Sequence, residues 1–161
     1  MVNADSNSVS VISTRTNTVT ATVAVGAHPL HVAIAPNGAS VYVADAGANS
    51  VTVINTATNT VVATVGVGAI PVDVSITPDG AYAYVTNAGA KSVSVIDTAV
   101  KTVVATVGVG FIPVHVSLSP NGAHAYVTNA GSDSVSVIDT GTNAVSATVP
   151  VGVHPVDVAV F

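Results

Sequence analysis

The sequence returns to itself every 42 residues. Tyr42, Tyr84 and Tyr126 stand one period apart, as do Gly38, Gly80 and Gly122, while Pro29, Pro71, Pro113 and Pro155 form a four-copy column. Residues 50–91 and 92–133 are identical at 30 of 42 aligned positions. A period of this length marks stacked or radial repeats, in which one small unit buries its faces against the next.

Each period reads as four short strands. In the copy that begins at Pro71, "PVDVSIT" (71–77) alternates Val72, Val74 and Ile76 with Asp73, Ser75 and Thr77. Pro78-Asp79-Gly80 makes a turn, with Pro fixing φ and Gly supplying the unusual dihedral. "AYAYVTN" (81–87), "SVSVID" (92–97) and "TVVATVGVG" (102–110) follow, separated by short turns. Connections this short imply antiparallel hairpins, so each period is a four-stranded meander. Composition agrees: Val is the most frequent residue, Thr is abundant, and there is no Glu or Gln. The pattern predicts an all-β chain, a β-propeller of four-stranded antiparallel blades forming a single domain over 1–161. A stack or sandwich of meanders is the alternative.

The repeat is broken at one place. Four periods would need 168 residues, seven more than the 161 present. Met1 aligns with Val43 and Phe161 with Ser119, so the absent columns are those of "PNGASVY" at 36–42. The sequence therefore predicts complete blades at about 29–66, 71–108 and 113–150. A split, incomplete blade is assembled from 1–24 and 155–161, and it lacks its second strand, about 3.8 repeats in all. Unpaired backbone groups would line such a gap. Three closures are open: a four-bladed ring, a larger ring formed with a second chain, or part of a longer propeller. The expectation favours an incomplete propeller that belongs to a larger ring or self-associates.

Charge and composition exclude several function classes. Three basic side chains in a chain of formal net charge −5 leave no electrostatic footprint for nucleic acid. They leave no polybasic patch for anionic lipid either. No apolar run reaches 18 residues, so no helical membrane span is expected. The stretch "MVNADSNSVSV" lacks the basic and apolar regions of a signal peptide. With no cysteine, thiol catalysis, disulfides and thiolate metal sites are absent.

The pattern "YVTNAG…SVSVIDT…TVVATV" with its following Pro and P-N-G columns resembles the YVTN-type β-propeller repeat family along essentially the whole chain. Such repeats occur in surface-layer-like proteins, and lactonase-like and nitrous-oxide-reductase-like propellers are more distant relatives. The resemblance implies a propeller fold and an extracellular or cell-surface setting. It implies little about activity, because the shared motif consists of strand and turn residues. Within it, Tyr84 and Tyr126 are expected to pack between blades, and Asn87 and Asn129 to hydrogen-bond local backbone.

One column has chemistry. His31, Asp73, His115 and Asp157 occupy equivalent positions two residues after the Pro column. On innermost strands they would ring one end of a central channel, where two imidazoles and two carboxylates could ligate zinc or a similar divalent ion. Channel-lining groups that meet only water are the competing reading. His28 and His154 share a loop column before Pro, and His124 takes the place of Tyr82. Asn37, Asp79 and Asn121, with Asn55, Asp97 and Asp139, read as Asx-turn groups. No nucleophilic triad, calcium loop or phosphate-cradling glycine pattern is present, and no cofactor is expected.

A non-enzymatic structural or binding module accounts best for this inventory, with surface proteins, glycans or its own copies as partners and Phe111 as a rim contact or a plug against the next blade. The alternative is a metal-dependent hydrolase or redox propeller built on the His/Asp column. A truncated or designed repeat assembly is a third reading.

Overall fold

The computed structural model describes residues 1–161, and regular structure is entirely β. The first blade has three strands, β1 (Val2–Asn3), β2 (Ser8–Ser13) and β3 (Thr18–Ala24). The second has β4 (Pro29–Ile34), β5 (Ser40–Asp45), β6 (Ser50–Asn55) and β7 (Thr60–Gly66). The third has β8 (Pro71–Ile76), β9 (Tyr82–Asn87), β10 (Ser92–Asp97) and β11 (Thr102–Gly108), and the fourth β12 (Pro113–Leu118), β13 (His124–Asn129), β14 (Ser134–Asp139) and β15 (Ala144–Pro150). All pairings are antiparallel between sequential strands, the meander of a propeller blade. No helix is long and apolar enough to cross a membrane.

The turns follow local chemistry. Asn37, Asp79 and Asn121 each accept the amide two residues on at 2.9–3.0 Å, and Asn55 and Asp97 do the same at 2.9 Å. In the third turn, Asp139 accepts from the Thr142 amide at 2.8 Å. Between second and third strands, Asn7, Asn49, Lys91 and Asp133 all take φ near +50°, a region Asn and Asp enter more easily than Lys.

Those turn residues also latch the chain as it passes to the next blade. The carbonyls of Asn7, Asn49, Lys91 and Asp133 accept the amides of Val25, Val67, Val109 and Val151 at 2.9–3.0 Å. The side chains of Asn7, Asn49 and Asp133 accept the amides of His28, Ile70 and His154 at 2.8–2.9 Å. Lys91 has no acceptor to offer there. At that passage the Ser132 hydroxyl takes the Phe111 amide instead, and the Lys91 ammonium lies 4.0 Å from the Phe111 ring centre.

Blades adhere through two different faces. The second blade presents Tyr42, Ala44, Val51, Val53 and Val65 to Val74, Ala83, Val85 and Ile96 of the third. One period on, Tyr84, Val93, Val95 and Val107 meet Val116, Ala125, Val127 and Ile138 of the fourth. Burial of such side chains stabilises by roughly 1.5–3 kcal/mol each. Tyr42 and Tyr84 are fully buried at these joints, and the Tyr84 hydroxyl donates to Asn143 Oδ1 at 2.8 Å. Burial, with Tyr82 and Asp139 nearby, pushes the Tyr84 hydroxyl pKa up to about 12.

Three expectations are corrected in detail. The motif Asn does not bond local backbone: Asn3, Asn87 and Asn129 each donate Nδ2 across the hairpin to two third-strand hydroxyls, as Asn87 does to Ser92 and Ser94 at 3.2 and 2.9 Å. A side chain aimed across the pleat reaches the next strand before it reaches its own backbone. Gly68 and Gly110 follow from this, because a Cβ there would lie 2.7 Å from the Asn87 or Asn129 side chain. The first blade keeps the last residues of its second strand, since Val2 pairs with Val9 and Asn3 with Ser8. The innermost strand does not alternate simply either: Pro71 pairs with Asn87 and Asp73 with Thr86, so Val72 is the extra residue of a β-bulge and Asp73 is buried.

The outer faces of the first and fourth blades lack neighbours. Ile12 is 44% exposed, whereas Ile96 and Ile138 in the same column are wholly buried. At the other end Val149 is 45% exposed against 5% for Val107, and Tyr126, Val135 and Val137 are only half-buried. Residues 151–161 carry no strand.

Candidate functional site

The bulge at the start of β4, β8 and β12 sets the aim of the residue that follows it. In each strand the pairing slips by one residue between the Pro and the third position. His31, Asp73 and His115 therefore come into one row along neighbouring innermost strands, and Asp157 continues the row past β12. The backbone amides of Asp73 and His115 donate to Thr86 and Thr128 hydroxyls at 3.1 and 3.2 Å, which holds the strand at the bulge.

Asp73 is the centre of the row. It is 4% exposed and has three donors within hydrogen-bond distance. His31 Nδ1 lies 2.6 Å from Oδ1, the Val74 amide donates to Oδ1 at 2.8 Å, and the Val116 amide of the next blade donates to Oδ2 at 2.9 Å. His115 Nε2 stands further off, 3.6 Å from Oδ2. One carboxylate thus joins three successive innermost strands. Burial pushes its pKa up, but the His31 hydrogen bond, the Val116 amide and the positive potential of both imidazoles outweigh burial and hold it below the usual carboxylate range. The His31 pKa is raised, first by its hydrogen bond to Asp73, against the desolvation of a half-buried ring.

At the far end, His115 Nδ1 lies 3.1 Å from Asp157 Oδ1, close but not aligned as donor and acceptor. The Val158 amide donates to Asp157 Oδ1 at 2.7 Å, repeating the Asp73–Val74 contact. The four residues are therefore strung along a line as His31–Asp73–His115–Asp157. No three His or Asp side chains of the chain gather as a metal-ligand set.

His28 and His154 are exposed in the linking loops, and His124 lies beside Tyr126 with ring centres 6.4 Å apart. Sequence reasoning missed the Val116 amide, the Thr86 and Thr128 supports and the Lys91–Phe111 contact. The threonines recur two positions after the Tyr column, which is their only signal in the sequence. The exposed Phe111 borders a groove of about 580 Å³, shared with Ser132, Asp133, Ser136 and Thr148. Equivalent grooves occur at the second and third blades without an aromatic rim.

A family model described as YNCE-like β-propeller matches residues 1–90, more than half of the chain. The chain belongs to the YNCE-like β-propeller family. Among solved structures, this YNCE-like propeller superposes on the hydrazine synthase of Kuenenia stuttgartiensis with a TM-score of 0.87 and 32% identity, over 91% of this chain and 44% of that one. A functionally unknown protein from Desulfotomaculum acetoxidans DSM 771 matches with a TM-score of 0.75 and 19% identity, over 94% and 56%. A 6-phosphogluconolactonase-like protein from Bacteroides uniformis ATCC 8492 matches with a TM-score of 0.80 and 17% identity, over 97% and 52%. The last two likenesses concern the fold alone. The YNCE-like chain spans about half the length of these solved chains. Among curated proteins none matches it.

Proposed function

We propose that this propeller is a non-catalytic binding or scaffold module acting at the cell surface or outside the cell. One observation carries the reading: Asp73, the buried carboxylate best placed for chemistry, is engaged by His31, Val74 and Val116 in joining blades. A general base needs a free lone pair directed at substrate, and an ion needs ligands converging on one point. The row supplies neither while Asp73 holds its present partners. The partner contact is the groove rimmed by Phe111, where an aromatic edge stands over hydroxyl and carboxylate groups, a combination suited to a surface glycan or a surface protein loop.

The test is binding of the 161-residue chain to a panel of bacterial surface glycans and surface proteins, read by interferometry. Phe111→Ala is expected to weaken a positive signal about tenfold, and Asp73→Asn to leave the contact intact once folding is verified. Lactone or ester turnover that disappears in Asp73→Asn would overturn the reading. The alternative, a hydrolase or redox propeller with a divalent ion on His31, Asp73, His115 and Asp157, predicts stoichiometric zinc retention lost in the His31→Ala, His115→Ala double variant. The expected result is no such retention.

A further inference from the structure

Every internal blade joint has the same three parts, and one further joint has all of them prepared but unfilled. The parts are a linking loop latched by a turn carbonyl, an innermost strand, and a Val face, with Tyr42 and Tyr84 added at the second and third joints, received by a Val/Ile face. After the fourth blade the latch is complete: the Asp133 carbonyl accepts the Val151 amide at 2.9 Å and its side chain accepts the His154 amide at 2.8 Å. His154 takes φ 55° before Pro155, as His28, Ile70 and Ile112 do before their prolines. The Asp157–Val158 contact repeats that of Asp73–Val74 in β8. Residues 155–158 thus have the entry and local contacts of an innermost strand but pair with no second strand.

The complementary deficit lies at the other end. In the first blade β1 pairs with β2 and has no innermost strand on its other edge. Carrying the β12–β13 register forward by one period sets Pro155 opposite Asn3, Asp157 opposite Val2 and Val158 opposite Met1. The faces correspond as well. Tyr126, Val135, Val137 and Val149 are the fourth-blade copies of the face that receives Ile96 and Ile138 elsewhere, and Ile12 occupies the column of those isoleucines.

We propose that a second copy of this chain fills the joint. Residues 155–158 of each copy add to β1 of the other, and Ile12 of each packs against Tyr126, Val135 and Val137 of the other. The strand edge supplies main-chain hydrogen bonds and register, and the apolar faces supply the driving force. A head-to-tail contact of this kind closes a ring or grows without limit. Two copies contribute eight blade equivalents, within the range of closed propellers, whereas three would exceed it. Closure within one chain is disfavoured by the structure itself, where Ile12 and Val149 stay exposed and 155–158 unpaired. The inference rests on the scaffold reading only for its biological use; a monomer would overturn it and leave that reading standing.

Light scattering on the 161-residue chain tests it. The expected mass is twice the 15.7 kDa of one chain. Ile12→Asp and Val137→Asp, both at exposed or half-exposed positions, should each weaken self-association on the order of 100-fold or more by placing a carboxylate in an apolar joint. Mixing the two variants should restore a one-to-one complex, because one intact joint remains, and misfolded chains could not complement each other. A monomeric chain at 100 μM (about the highest concentration needed), an association untouched by either variant, a mixture that stays monomeric, or an open series of masses would each overturn the two-copy ring.

Discussion

Asp73 shows how a charged side chain is kept inside a chain with so few charges. Its carboxylate is held below the usual range, so the stability it adds is present above the ordinary carboxylate pKa and is lost as pH falls through its lowered folded value. His31 runs the other way. Its folded pKa is raised, so its contribution is complete below about 6.5 and is lost as pH rises through the raised value. The pair is therefore at full strength between about pH 4 and 6.5, and stability should decline as pH rises above that through the raised His31 value. Because His31 is half-exposed, solvent screening limits the loss to less than about 1 kcal/mol. Thermal melts across this range should show the decline in the parent chain and not in His31→Gln. An identical slope in both would remove His31 as its source. The column itself was legible in the sequence, because a fixed period superposes His31, Asp73, His115 and Asp157 without any structure. The pairing was not, since the bulge at Val72 changes the aim of Asp73 and leaves no mark in an alternating pattern.

Strands and turns obey rules short enough to read directly. "SVSVID" is bounded by turns and becomes β10 and β14, although its Ile breaks the alternation and the pairing with the fourth strand slips by one residue just before it. β2 and β3 lie one full period before β6 and β7, although their blade is incomplete. Less legible were features set by a neighbouring element, such as the Asn87 amide bonding Ser92 and Ser94, or Ser132 standing in where Lys91 offers no acceptor. The value of one column also depends on its neighbour. Ile96 is wholly buried against the second blade, and Ile12 in the same column faces outward. Ile96→Ala should cost about 2–5 kcal/mol, the transfer free energy of the lost methyls plus a cavity that packed blades cannot close. Ile12→Ala in dilute, monomeric protein should cost under about 1 kcal/mol, since no cavity forms. Urea titration of both variants compares the two directly, and equal losses would mean that the first blade is covered in solution.

At the level of the whole molecule, stability is distributed like that of other repeat arrays, as blade terms plus joint terms between neighbours. The third blade has two joints; the first and fourth have one each. Amide exchange can separate these contributions with an internal control. The strands β10 and β14 have the same sequence, SVSVID, so intrinsic exchange chemistry is matched along their interiors. What differs is the cover: Val93 and Val95 are sealed against the fourth blade, while Val135 and Val137 face an empty side. In dilute protein the interior amides of β14 should exchange faster than those of β10 by roughly tenfold or more, because local opening of β14 breaks one joint fewer. Raising the concentration should leave β10 unchanged. If a second copy seats on the fourth blade, β14 and β2 should gain protection together and approach β10, since binding stabilises only the covered state. Protection of β14 equal to that of β10 at every concentration would mean that its face is already occupied within one chain, and the ring closes without a partner.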